Sequence, residues 1–163
     1  MLSVGDKAPD FSLSCKNADG IKQVKLSDNL GKTNTLLLFV PMAFTGVCTE
    51  EFCAISQGLD AYKTLGADVI GISGDNPFAQ EAWATKEGIT ITLASDYEHA
   101  TAQAYGIAYD AFLPQLGLGM GGVAKRSAFI VDKEGTIQYA ESSDDPKQLP
   151  DFEAIKAKLG ELA

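Results

Sequence analysis

The 163-residue chain has one histidine and three cysteines, and each scarcity removes a class of chemistry. One histidine cannot complete a Cys/His zinc cluster, and three cysteines at uneven spacing do not make the even framework of a disulfide-stapled secreted domain. Positive charge is also scarce. Thirteen Lys and Arg face 22 Asp and Glu, a formal net charge of -9, which opposes binding to phosphate backbones and to anionic membrane surfaces. No stretch approaches the roughly 18 consecutive apolar residues of a membrane span. The segment Met1-Leu2-Ser3-Val4-Gly5-Asp6 has no basic region leading into an apolar one, so no targeting peptide is visible and a reducing cytoplasm is the expected location. Neither metal, nucleic acid nor membrane is expected as a partner.

What is present is the composition of a globular protein, 45% hydrophobic and 21% charged, with no linker, repeat or low-complexity tract. A single domain over residues 1–163 is expected, long enough to bury a core without staples. The period-two patches "FSLSC" and "KQVKL" around "NADG" predict a hairpin from Phe11 to Leu26. "TNTLLLFV" is a continuous apolar run of strand length, as in a strand covered on both faces. A helix is predicted from about Val47 to Leu65, with Phe52, Ile55, Leu59 and Tyr62 as its apolar stripe. "ADVIGIS" is a second buried strand. "NPFAQEAWATKEG" is a helix opened by Asn76, with Pro77 at its first position and Gly88 closing it. "ITITLASD" predicts a third strand, followed by a short helix over His99 to Tyr105. The Gly-rich stretch from Gly106 to Ala124 reads as a long loop, "RSAFIVDKEGTIQYAES" as a hairpin, and Leu149 to Leu159 as a last helix. Strands alternating with helices before a terminal hairpin predict an α/β protein with a central mixed sheet flanked by helices and an extra N-terminal hairpin. A thioredoxin-like fold fits this order.

The chemistry concentrates in "PMAFTGVCTEEFC", residues 41–53. A buried strand that ends in proline and turns into a helix delivers its loop to the carboxyl edge of the sheet, where ligand sites of α/β folds lie. Cys48 falls in the first turn of the predicted helix, where unpaired backbone N–H groups and the helix dipole favour a thiolate. An ordinary thiol is only about 3% ionised at pH 7, so such help makes a nucleophile. Thr45 offers a hydroxyl to orient an electrophile. Pro41 removes a backbone donor, fixes the loop and shields the sulfur.

Pro41, Thr45 and Cys48 in "PMAFTGVC" match the Pro-x-x-x-Thr-x-x-Cys motif, and the chain resembles the peroxiredoxins, the cysteine-based thiol peroxidases. The resemblance extends over "GDKAPDFSL", "VIGISGDNPFAQEAW" and "KRSAFIVDKEGTIQYAE", the last placing Arg126 where the family carries an active-site arginine. It implies that Cys48 is the peroxidatic cysteine, Thr45 the hydroxyl that holds the peroxide, Pro41 the shield and Arg126 the cation that favours the thiolate. Glu51 would either position Arg126 or be a solvated residue of an acidic first turn. Backbone N–H groups at Val47 and Cys48 would stabilise the departing oxygen. Thiolate attack on the O–O bond would leave a sulfenic acid, with no metal or organic cofactor required. The resemblance further implies a peroxide substrate, a thioredoxin-, glutaredoxin- or mycoredoxin-like thiol reductant, and a homodimer through the active-site end. Two other readings compete. A thioredoxin-fold disulfide oxidoreductase is opposed by the absence of Cys-x-x-Cys, and a redox-sensitive binding or chaperone module would not need Thr45 and Arg126.

Cys53 leaves two readings open. On a regular helix it stands about 140° and roughly 7.5 Å along from Cys48, which separates the α-carbons by more than the roughly 7 Å a disulfide tolerates. The resemblance to the bacterioferritin comigratory protein group, which has a resolving cysteine at this spacing, makes Cys53 resolving. Resemblance to the alkyl hydroperoxide reductase E group makes it a small residue filling a helix contact. The helical wheel puts Cys53 on a polar side, beside Ser56, Gln57 and Asp60. Cys15 reads as a buried or half-buried strand residue, Phe78, Trp83, Tyr105 and Tyr109 as core or as the lining of an entrance or dimer contact, and His99 as a helix-surface residue.

Overall fold

The apolar run in residues 33–40 becomes the centre of the molecule. In a computed structural model that describes all 163 residues, Asn34–Phe39 forms strand β3, buried at every position. It lies between β4 (Ala67–Ser73), which runs parallel to it, and β6 (Arg126–Val131), which runs antiparallel. The other strands are β1 (Ser12–Asn17), β2 (Gly20–Lys25), β5 (Thr92–Ser95) and β7 (Ile137–Ser143). All seven belong to one mixed sheet in the order β2-β1-β5-β4-β3-β6-β7.

Side-chain alternation along β3 divides the core in two. Leu36 and Leu38 face a cluster that includes Phe52 and Ile55 of helix α1 (Gly46–Gln57), Tyr62 of α2 (Leu59–Thr64), Trp83 of α3 (Pro77–Glu87), and Ile155 and Leu159 of α5 (Phe152–Leu162). Leu37 and Phe39 face a second cluster containing Phe11, Tyr105, Ile107, Phe129 and Ala102 of α4 (Ala100–Ala104). Both faces of the sheet are therefore covered, and each fully buried Leu, Ile or Phe side chain contributes on the order of 1.5–3 kcal/mol.

Helix α3 follows the local signals closely. Asn76 Oδ1 accepts the Ala79 N–H at 2.9 Å, Pro77 opens the first turn, and Gly88 closes it in the left-handed region at φ 72°. Four predicted elements change. The helix expected over Val47 to Leu65 breaks at Gly58, where the backbone leaves helical geometry (φ -98°, ψ 13°) between α1 and α2, at the residue of weakest helix propensity in the stretch. The third strand begins at Thr92, although Ile89 and Ile91 are buried, because the ladder to β4 begins only at the Ile70–Thr92 pair. The last helix begins at Phe152 instead of Leu149: Pro150 disfavours helix at its predecessor, and Asp151 caps the helix through the Ala154 N–H at 3.0 Å. The expected loop from Gly106 to Ala124 folds back on itself through bridges Ala108–Ala124 and Phe112–Met120, with a 3-10 turn at Pro114–Leu116 between them.

His99 is not a helix-surface residue. It stands just before α4 at φ 62°, with its ring against Gly74 and Gly122; a Cβ at position 74 would clash with the ring carbon Cε1. Two glycines thus make room for the ring, which joins the loop after β4 to the folded-back loop.

Candidate active site

Strand β3 hands the chain to a short loop whose conformation is fixed from outside. The Val40 N–H donates to Ile72 O at 3.0 Å, Pro41 is buried, and the Ala43 N–H donates to Asp75 Oδ2 at 2.8 Å. Asp75 Oδ2 also accepts the Ser73 hydroxyl at 2.7 Å, and Gln80 Nε2 donates to that same Ser73 oxygen at 2.9 Å. Phe44 then takes a left-handed conformation at φ 63°. Thr45 sits at the N-cap of α1, but its hydroxyl donates to Met42 O at 2.7 Å rather than capping the helix. The hydroxyl proton is therefore committed, and the oxygen of this cavity-lining residue keeps its acceptor capacity.

Cys48 is the third residue of α1 and is 2% exposed. Arg126, first residue of β6 and also 2% exposed, reaches it from across the sheet: Nη2 donates to Cys48 Sγ at 3.2 Å. The opposite prong, Nη1, donates to Glu51 Oε2 at 2.6 Å, and Glu51 is 1% exposed. Nε and Nη2 both donate to Pro146 O, at 3.1 and 2.8 Å. The planar guanidinium fork is thereby held in one orientation by three acceptors, a task a lysine could not perform. Burial alone would lower Arg126, but the Cys48 sulfur and the Glu51 carboxylate outweigh it and hold the guanidinium above its ordinary value. Burial likewise pushes the Glu51 carboxyl up to about 7, against the pull of Arg126.

The sulfur lies in the wall of a cavity of about 300 Å³ lined by Pro41, Thr45, Val47 and Arg126, with Phe112, Leu118 and Met120 contributed by the folded-back loop. A small electrophile entering it meets the thiol, the Arg126 fork, the Thr45 oxygen and the start of α1 together. Among sequence-predicted residues, Pro41, Thr45, Val47, Cys48 and Arg126 converge here, and Glu51 stands behind Arg126. The solvated reading of Glu51 fails because β6 and its arginine cover that face of α1. Cys53 does not join the cavity. Its thiol donates to Glu87 O at 3.4 Å and the side chain packs against the core. On the side it shares with half-buried Ser56 and exposed Gln57 and Asp60, Cys53 is half-buried where the end of α3 meets it. Cys15 is buried in β1, Trp83 and Tyr105 are core, Tyr109 is half-buried and Phe78 is exposed.

Sequence reasoning missed Asp75, Pro146 and the three apolar loop residues. Asp75 alone carried a signal, since it follows a buried strand at the carboxyl edge. Asp75→Ala would leave the Ala43 N–H unpaired; a stability loss of about 1–3 kcal/mol in urea unfolding is expected, with a several-fold slower reaction of Cys48.

The AhpC/TSA family model matches residues 4–140. Alkyl hydroperoxide reductase E of Mycobacterium tuberculosis is 36% identical over 143 residues, 86% of each chain. Chloroplastic peroxiredoxin Q of Triticum aestivum is 36% identical over 138 residues, 85% of this chain and 58% of that protein. Among solved structures, peroxidoxin BcpB of Mycobacterium tuberculosis superposes with a TM-score of 0.83 at 25% identity, covering 100% of this chain and 99% of the other. A peroxiredoxin-like protein from Aquifex aeolicus gives 0.84 at 26% identity, over 99% and 88%. These neighbours share the thioredoxin-like α/β fold. With the family model spanning most of its length and these relatives beside it, the chain belongs to the AhpC/TSA family and is a peroxiredoxin.

Proposed function

We propose that this thiol-dependent peroxidase reduces hydrogen peroxide and organic hydroperoxides through Cys48. The thiolate attacks one peroxide oxygen, the O–O bond breaks, and water or alcohol leaves after taking a proton, so that Cys48 becomes a sulfenic acid. Two thiol groups of the reductant then return it to the thiol, release water and become a disulfide. The observation that carries this reading is the Arg126 contact: a buried cation 3.2 Å from the sulfur, fixed by Glu51 and Pro146, favours the thiolate and faces charge developing on the leaving oxygen. Thr45 accepts a hydrogen bond from the peroxide hydroxyl, Pro41 screens the sulfur, and the N–H groups at Val47 and Cys48 add to the positive end of α1.

An external thiol of the thioredoxin, glutaredoxin or mycoredoxin kind is the proposed reductant, with Cys53 as the alternative route. The exposed Phe44 and Leu118 beside the cavity suit a homodimer packed at this end. Three unpaired cysteines suit a reducing compartment such as the cytoplasm.

One equivalent of hydrogen peroxide, followed by a dimedone-type trap and mass mapping, tests the reading in the parent and in Cys53→Ser. Rapid trapping at Cys48 in both proteins is expected if the reductant is external, and a 48–53 disulfide in the parent alone if Cys53 resolves. Oxidation no faster than that of free cysteine would overturn the proposal.

A further inference from the structure

Helix α1 points two acids at one cation. Cys48 and Glu51, three residues apart and so on one face, both bond the Arg126 guanidinium, and all three side chains are almost fully buried. The remaining titratable groups around Glu51 add no positive charge. On β7, Glu141 accepts the Tyr139 hydroxyl at 2.7 Å and the Asp151 N–H at 3.0 Å, and it adds negative potential at Glu51. Tyr109, from the folded-back loop, feels both Arg126 and Cys48. Lys147 lies at the cavity mouth, where it is exposed to solvent. A thiolate together with a carboxylate would therefore leave this buried cluster with an uncompensated negative charge, the costliest state for a low-dielectric site. Glu51 Oε1 makes the same point locally, because it is buried with no hydrogen-bond partner. An ionised carboxylate would carry half its charge on that unsolvated oxygen.

We propose that Cys48 and Glu51 hold a single negative charge between them opposite Arg126, so that the carboxyl takes up the proton as the thiol ionises. The inference rests on Cys48 being the reacting thiolate. Burial already pushes this carboxyl up to about 7, within reach of such an exchange, and both groups bond the same guanidinium. The proton count of the peroxide step then closes inside the site. Thiolate, hydroperoxide and protonated Glu51 give sulfenic acid, alcohol and ionised Glu51, whose charge replaces that of the thiolate beside Arg126. Thiol reduction of the sulfenic acid restores the starting pair.

The test needs no peroxide, so its failure and the failure of the peroxidase reading are distinguishable. The rate of Cys48 alkylation by iodoacetamide is followed against pH in the parent and in Glu51→Gln, both on a Cys15→Ser, Cys53→Ser background. The midpoint is expected to fall by about one pH unit or more in Glu51→Gln, because glutamine cannot compete for the charge. A midpoint that is unchanged or raised, as loss of Arg126 positioning alone would give, overturns the proposal. The infrared band of a protonated buried carboxyl is the second readout. It is expected at pH 8 in the parent, largely lost when Cys48 is alkylated to a neutral thioether, since a carboxyl near 7 is then mostly ionised, and absent from Glu51→Gln. A band that is missing before alkylation, or unmoved by it, also overturns the proposal. Should Glu51→Gln fail to fold, Cys48→Ala carries the same measurement, with Glu51 mostly ionised and the band largely absent at pH 8.

Discussion

A Cys48→Ser protein is expected to reduce peroxide at least about 10³-fold more slowly than the parent, as loss of a covalent nucleophile does elsewhere. The hydroxyl that replaces the thiol is not ionised near neutral pH and is a poor nucleophile toward oxygen. The replacement should not disturb the fold. Serine is close in size to cysteine, and Arg126 keeps its bonds to Glu51 and Pro146. Thermal unfolding is therefore expected to stay within about 1 kcal/mol of the parent, which separates lost chemistry from lost structure. Trp83, the only tryptophan, supplies the kinetic signal. Its Nε1 donates to Thr49 Oγ1 at 2.9 Å and its ring lies 5.5 Å from that of Phe52, so it touches α1 at the residue after Cys48 and again one turn further on. Stopped-flow tryptophan fluorescence should change rapidly with peroxide in the parent and not at all in Cys48→Ser. A fast phase that survived in the variant would assign the chemistry to another residue.

Arg126→Met is expected to fail in two ways at once. The reaction loses its cation, at a cost of about 10²–10³ in rate if the guanidinium acts as an oxyanion-stabilising donor. The fold loses a buried partner. Glu51 is left without its cation and Pro146 O without two donors, a change that costs about 3–5 kcal/mol when one member of a buried pair is removed. The sign of the pH dependence follows from the raised Glu51 titration. Glu51 escapes by protonating, so the stability lost relative to the parent is smallest at acid pH and grows as pH rises through about 7. Arg126→Lys is the informative companion. A lysine restores the charge but cannot serve Cys48, Glu51 and Pro146 from one rigid plane. It should recover part of the stability and little of the rate. Urea unfolding at pH 5 and 8, with peroxide rates measured on the same samples, checks both statements, and a lysine variant with full activity would contradict the role given to the fork.

The contrast between what could and could not be read in advance follows the range of the interactions. Helix α3 is legible because its cap, its first proline and its closing glycine lie within thirteen residues and act on neighbouring backbone. The buried strand "TNTLLLFV" is legible because a strand covered on both faces has no polar alternation to confuse it. Cys48 and Thr45 sit in one loop, so their spacing carries the site. Arg126 comes from 78 residues away to reach Cys48, and nothing local in "KRSAF" marks it; only the resemblance did. Pro146 O is less visible still, since any residue supplies a carbonyl and its position depends on the turn after β7. For Cys53 the helical wheel separates it from Cys48, but the contact it fills comes from the end of α3, which a wheel drawn from one helix does not contain.

The break at Gly58 bears on how far this molecule must open to work. The last amide of the first ladder, Gly58 N–H, bonds Ala54 O, and the next begins with the Ala61 N–H on Gly58 O, so the two ladders meet at a residue outside helical geometry. Unwinding α1 therefore ends there. Were α1 to open, its twelve residues could leave the helix while the ladder of α2 stays in place, at the cost of exposing Phe52 and Ile55, which are buried in the core. Joining Cys48 to Cys53 would then draw on local opening alone and leave the seven-stranded sheet intact, and amide exchange in α1 would run faster than in α2 whenever that joining takes place.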